Sequence, residues 1–180
     1  INFFSDATTF SSLPTNQSYR PLTTLENAID YKIAGGLNPK IFHIHIFITF
    51  LVFCILLCVF IKKILDKIKF SKYNQFWALL NTAIFGLLCA NAETVNYIIQ
   101  RAEITSAMFV ITGFVAFLSG GFWGTKFIYL FFSFFCFFAK EMTFVFAPLL
   151  LLYLLLFEEE VDLLHFYRKE EFKKCIKSFS

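Results

Sequence analysis

Residues 41–61 form a run of 21 residues without a Lys, Arg, Asp or Glu. At about 1.5 Å of rise per residue, a helix of that length crosses the ~30 Å hydrocarbon core of a bilayer. The composition of the 180-residue chain agrees with a membrane-embedded fold: 58% of residues are hydrophobic and 28 are Phe. Mean hydropathy is +0.67. Charged residues are 16% of the chain, against roughly 25% in soluble domains. Disorder, a fibrous repeat and a soluble nucleic-acid binder are excluded by this balance. The net charge of +3 is too small to imply an anionic partner before its distribution is considered.

Four shorter apolar runs follow the first. The expected architecture is an all-α, multi-pass transmembrane helical bundle of about five spans, near 41–61, 74–90, 104–118, 127–139 and 142–157. Unpaired backbone is too costly in lipid for these segments to be anything but helical. Residues 1–40 hold Pro14, Pro21, Pro39 and the Gly35-Gly36 pair, which reads as an extramembrane loop with short helices. Thr23 and Thr24 are candidate caps for a helix starting near Leu25. Residues 158–180 form a charged amphipathic tail. The chain opens on Ile1 without a signal-peptide pattern, as expected of an internal fragment. Cysteines are five, an odd number, without metal-ligand spacing; packing roles are expected for Cys54 and Cys58, and neither a metal nor a cofactor is expected within the chain.

Five spans divide the basic residues unevenly. The side carrying 62–75, 119–126 and 158–180 holds 11 of the 16 Lys and Arg residues. By the positive-inside rule that side is cytoplasmic, which places 1–40, 91–103 and 140–141 together on the extracytoplasmic face. Three segments meeting there carry Tyr19-Arg20-Pro21, Glu93 with Arg101, and Lys140-Glu141. If 93–101 is helical, Glu93, Asn96, Tyr97, Gln100 and Arg101 form one polar stripe, suited to lining a wet cavity. Taken singly, each residue has an ordinary explanation: Arg101 as an interfacial anchor or a partner of Glu103, Lys140 as a loop residue paired with Glu141. His43 and His45 flank the first span and suit structural or interfacial roles. Together on one face, the charged groups point to a shared anion-binding site.

The residues that carry these features resemble a family. YRPLTTLENAIDYKIAGGLNPKIFHI, residues 19–44, resembles the loop after the first acidic motif in GT-C membrane glycosyltransferases, specifically the tetratricopeptide-repeat-associated O-mannosyltransferase-like group. Its "yRPL" and "G-x-x-P-x-x-FH-L" patterns fall on Tyr19, Arg20, Pro21, Leu22, Gly36, Pro39, Phe42 and His43. AETVNYIIQRAEITSAMF, residues 92–109, is similar to that group's "TEAVNYI-x-x-R-x-E" segment, through Glu93, Val95, Asn96, Tyr97, Ile98, Arg101 and Glu103. FFAKEMTFVFAPLLLLYLL, residues 137–155, is similar to "SKE-x-x-x-x-x-P-LLLLYD", through Lys140, Glu141, Pro148 and Tyr153. The chain departs from the pattern at Leu88-Cys89, where the group has His-Pro, and at Ile46 and Phe50, where Asn and His are usual. The acidic pair assigned as catalytic in such enzymes lies upstream of "yRPL", where this chain has only Asp6.

The resemblance implies transfer of a sugar, mannosyl by the group's usage, from a polyprenyl- or dolichyl-phosphate donor to a protein hydroxyl. It implies membrane lipid, the lipid-linked donor and a protein acceptor as partners, and no nucleic acid. The expected location is a bacterial inner membrane, or the endoplasmic reticulum membrane in a eukaryote, with the active face extracytoplasmic. Tyr19, Arg20, Glu93, Asn96, Arg101, Lys140 and Glu141 are the expected lipid-phosphate or substrate-binding residues; Glu93 is a candidate contributor to catalysis and the catalytic residues proper are unassigned. Such chemistry uses a carboxylate to take the acceptor proton and cations to stabilise the leaving phosphate. A non-catalytic membrane scaffold with a degenerate fold and a lipid-linked-sugar transporter are the alternatives.

Overall fold

The computed structural model describes residues 4–6, 8, 11, 18–120, 128–140 and 144–158. Those residues are all-α, with no strand among them. The chain divides into two compact units, 1–143 and 144–180.

Helix α1 spans Pro21–Ala34, with Pro21 at its first turn, where a missing N–H costs nothing. It starts four residues before the Leu25 expected from the threonines. Thr24 instead directs its hydroxyl back to the Arg20 carbonyl at 3.1 Å. Gly35, at φ 67°, ends α1 in the left-handed conformation that a side chain would strain. Gly36 N–H then returns to the Tyr31 carbonyl at 3.1 Å.

Helix α2 spans Pro39–Ile68; Asn38 caps it by accepting from the Lys40 N–H at 3.2 Å. Its 30 residues correspond to about 45 Å of helix. Only one stripe of α2 is enclosed: Phe42, Ile46 and Phe53 are buried, whereas Leu51, Val52 and Ile55 face outward. An apolar helix half of which faces outward is the expected form of a span in lipid.

Helix α3 (Asn74–Leu87) and α4 (Ala90–Asn96) meet at a 68° bend. The chain is extended at Leu88 and again at Tyr97 (φ −97°, ψ 107°). A 3-10 turn, Ile98–Gln100, leads into α5, Arg101–Ser119. The condition for a continuous polar stripe over 93–101, one unbroken helix, is therefore not met: the chain breaks at Tyr97, and Glu93 and Arg101 belong to different elements. Helix α6 covers Ile128–Ala139.

The core of this unit joins α2 to α5 through Ile46, Phe53 and Ile104. Phe53 meets Phe85 of α3 edge-on at 5.9 Å, and Phe60 meets Phe114 of α5 at 5.6 Å. Phe109 stacks on Phe135 at 6.0 Å and Phe117 meets Tyr129 edge-on at 5.1 Å, joining α5 to α6. Cys136 lies buried against Ser106, 3.1 Å from its hydroxyl. Cys54 sits where α2 passes Gly86 of α3.

In the second unit, α7 (Phe146–Tyr153) runs into a π turn, Leu154–Glu158, and the Tyr153 and Phe157 rings stack at 5.1 Å.

Two helical stretches are long and apolar enough to cross a membrane, Pro39–Ile68 and Ile98–Ser119. The bent pair α3–α4 makes a third if it is one span. Helices lie at all five expected positions, but α6, at 12 residues, extends only about 18 Å. By length and composition the described helices thus supply two or three spans, where about five were expected. Residues 121–127, 141–143 and the tail beyond 158 lie outside the described residues.

Candidate functional site

The start of α2, the start of α5 and the end of α6 lie at one end of the bundle, and α1 is bonded to all three. Its contacts come from one face, on which positions 23, 26, 27 and 30 recur at helical spacing. At its start, Thr23 is buried and donates to the Ala139 carbonyl at 3.1 Å. That bond joins the Tyr19-Arg20-Pro21 block to the residue before Lys140. Tyr19 adds an edge-on contact with Phe138 at 6.3 Å, and its hydroxyl donates to the Phe4 carbonyl at 2.8 Å.

Further along the same face stand Glu26, Asn27 and Asp30. They enclose Arg101, whose side chain is 3% exposed. Its Nη2 meets Asp30 Oδ2 at 2.6 Å, its Nη1 donates to Asn27, and its Nε lies 3.7 Å from Glu26 Oε2. Thr105, one turn after Arg101, donates its hydroxyl to Glu26 at 3.1 Å.

His45 of α2 completes the cluster, with Nδ1 2.6 Å from Asp30 Oδ1 and 3.0 Å from Arg101 Nη2. Between an imidazole nitrogen and a carboxylate, 2.6 Å requires a shared proton. We therefore assign the N–H to Nδ1, donating to Asp30, which makes the Arg101 approach a contact between two donors. Burial pushes the Glu26 carboxyl above its ordinary range, while the charge of Arg101 and the Thr105 hydrogen bond pull it back.

A second ion pair lies alongside. Lys140, at the end of α6, pairs with Glu103 of α5. Glu103 is thereby the partner of Lys140 rather than of Arg101. Glu141 lies outside the described residues.

Between α1, the start of α2 and the 3-10 turn is a cavity of about 490 Å³, lined by Thr24, Asn27, Tyr31, Pro39, Phe42 and Ile98. Its walls are mainly apolar, and Asn27 links it to the Arg101 cluster. No group of three His, Cys, Asp or Glu residues is placed to hold a metal ion among the described residues.

The structure thus brings Tyr19, Arg20, Arg101 and Lys140 to one end of the bundle, through Thr23–Ala139, Asp30–Arg101 and Glu103–Lys140. Arg101 is turned into the protein toward α1. Glu93 and Asn96 are exposed on α4 and take no part in the bonded cluster. Sequence reasoning passed over Glu26, Asn27, Asp30 and Thr105, considered Glu103 as a partner of Arg101 rather than of Lys140, and gave His45 a structural or interfacial role. The available signal was Glu26 and Asp30, four residues apart on a short helix beside a membrane.

No family model matches the chain, and no solved structure matches it. The chain is similar to the mouse protein O-mannosyl-transferase TMTC4, at 28% identity over 114 residues, or 59% of the chain. The aligned part is about 15% of the length of that relative.

Proposed function

We propose that this chain is part of the membrane domain of a GT-C-type glycosyltransferase. It passes a sugar, mannose by analogy with its relative, from a polyprenyl or dolichyl phosphate to a protein hydroxyl. The observation that carries the reading is the tethering of the Tyr19–Pro21 block, the start of α5 and the end of α6 at one end of an apolar bundle. A lipid-linked donor presents its phosphate at such an end while its chain stays among the helices.

In this reading Arg20 and Lys140 face the phosphate and stabilise charge as the glycosidic bond breaks. Tyr19 and Asn96 contact substrate, and Glu93, exposed on α4, orients the acceptor. Arg101 acts through α1: its bonds to Asp30 and Asn27 set where Arg20 stands. The working face is extracytoplasmic, and the membrane is that of the endoplasmic reticulum if the host is a eukaryote.

One observation favours a second reading, a non-catalytic membrane scaffold. The charge of Arg101 is met entirely from within the fold, which a structural role alone would explain. The two readings separate in an assay of the complete gene product in membrane vesicles, supplied with radiolabelled dolichyl-phosphate mannose and acceptor peptide. Transfer that Arg20→Ala lowers by about two orders of magnitude, the cost of losing one preorganised donor, supports the enzyme. No transfer from any polyprenyl-phosphate sugar, or an Arg20→Ala variant as active as the parent, rejects it.

A further inference from the structure

At the opposite end of the bundle from Arg101, the last two turns of α2 and the turn into α3 carry Lys62, Lys63, Lys67, Lys69 and Lys72 against a single acid, Asp66. Both carboxylate oxygens of Asp66 are engaged. Lys62 Nζ approaches Oδ2 at 2.7 Å, and the Asn74 amide donates to Oδ1 at 2.7 Å. Asn74 is buried and also donates to the Lys69 carbonyl at 2.9 Å, so the acid serves as the clasp of the turn. Lys67, Lys69 and Lys72 are exposed.

Large apolar side chains stand among them. Ile68, Phe70, Tyr73, Phe76 and Trp77 are all more than half exposed, and Lys72 lies 5.2 Å from the Tyr73 ring centre. Exposed aromatics between ammonium groups would be a liability in water. At a bilayer surface they suit the headgroup layer, where aromatic rings settle and lysine stems lie along apolar surface.

Helix geometry places the turn at that depth. The uncharged run 41–61 occupies about 31 Å of α2, which matches the hydrocarbon core. Residues 62–68 then extend roughly 10 Å further, into the headgroups.

We propose that the α2–α3 turn is a docking surface for anionic phospholipid headgroups, with Lys67, Lys69 and Lys72 as the phosphate-facing cations and Phe70, Tyr73 and Trp77 as the interfacial anchors. The surface is separate from the Arg101 cluster and does not depend on the glycosyltransferase reading. Each lysine near an anionic surface contributes about a fivefold gain in binding, so three contribute roughly a hundredfold at low salt.

The test uses the whole chain, purified in detergent and equilibrated with phosphatidylglycerol and phosphatidylcholine mixtures, with retained lipid quantified by mass spectrometry. The expected result is enrichment of phosphatidylglycerol that falls as salt is raised. The triple variant Lys67→Gln, Lys69→Gln, Lys72→Gln should lose it by about two orders of magnitude, while the corresponding triple Arg variant should keep it. Lys32→Gln with Lys40→Gln, at the other end of the bundle, should change nothing. The proposal is overturned by an unmodified chain without enrichment, by enrichment insensitive to salt, or by a folded triple Gln variant that retains it. Enrichment that follows Lys32 and Lys40, or tight binding of RNA or an acidic peptide without phosphatidylglycerol enrichment, overturns it equally.

Discussion

Arg101 and Asp30 are 71 positions apart, yet their side chains meet at 2.6 Å with 3% and 2% of their surfaces exposed. A cation so enclosed is held by its partners, and its removal leaves two acids with uncompensated charge. Arg101→Ala should therefore lower stability by about 3–5 kcal/mol. Arg101→Lys should recover only part, since an ammonium cannot reach Asp30, Asn27 and Glu26 together. Denaturation in detergent of Arg101→Ala, Asp30→Ala and the double variant should give a loss well below the sum of the singles. Additive losses would show that the pair is not coupled.

Glu26 makes the stability of the cluster depend on pH in a direction opposite to that of an ordinary salt-bridged acid. Burial raises its folded pKa above the ordinary value of 4.5. Its contribution is therefore fully present below pH 4.5 and is lost as pH rises through the raised folded value. Glu26→Gln, which cannot ionise, should gain stability relative to the parent as pH rises from acid to neutral. Melting temperatures of both chains across that range measure it; a constant difference would refute the assignment.

Thr23 ties the Tyr19–Pro21 block to α6 through one buried hydroxyl. Thr23→Val should cost about 0.5–1.5 kcal/mol of stability and, under the proposed function, reduce sugar transfer further by loosening Arg20 relative to Lys140. Thr23→Ser keeps the donor and should restore both. Transfer assays beside unfolding curves distinguish the effects, and a Thr23→Val chain with full transfer would remove Thr23 from the positioning scheme.

The two ends of the bundle should also be separable by labelling. In a cysteine-free background, Lys40→Cys and Ala92→Cys should react with an impermeant maleimide from one side of the membrane. Gln75→Cys should react only from the other. Labelling of all three from the same side would contradict the antiparallel run of α2 and α3 across the bilayer.

Much of the helical framework was legible in the residues because its causes are local. The uncharged run 41–61, Pro21 and Pro39 at helix starts, and Gly35 after α1 each act within a few positions, through hydropathy, a fixed φ or a missing Cβ. The breaks were less legible. Neither Leu88-Cys89 nor Val95–Ile99 contains a Gly or Pro, so no local breaker announced the 68° bend or the extended Tyr97. The site depended still more on the tertiary structure. Arg101 had Glu103 two positions away as an obvious partner, and Lys140 had Glu141 beside it. Packing α1 across the ends of α2, α5 and α6 placed Asp30 and Glu26 against Arg101, and the register of α5 on α6 gave Glu103 to Lys140. Hydropathy determines that a charged group must be paired when it is buried. Which group pairs it is decided by helix register and crossing, set by side-chain packing between segments some 70 positions apart.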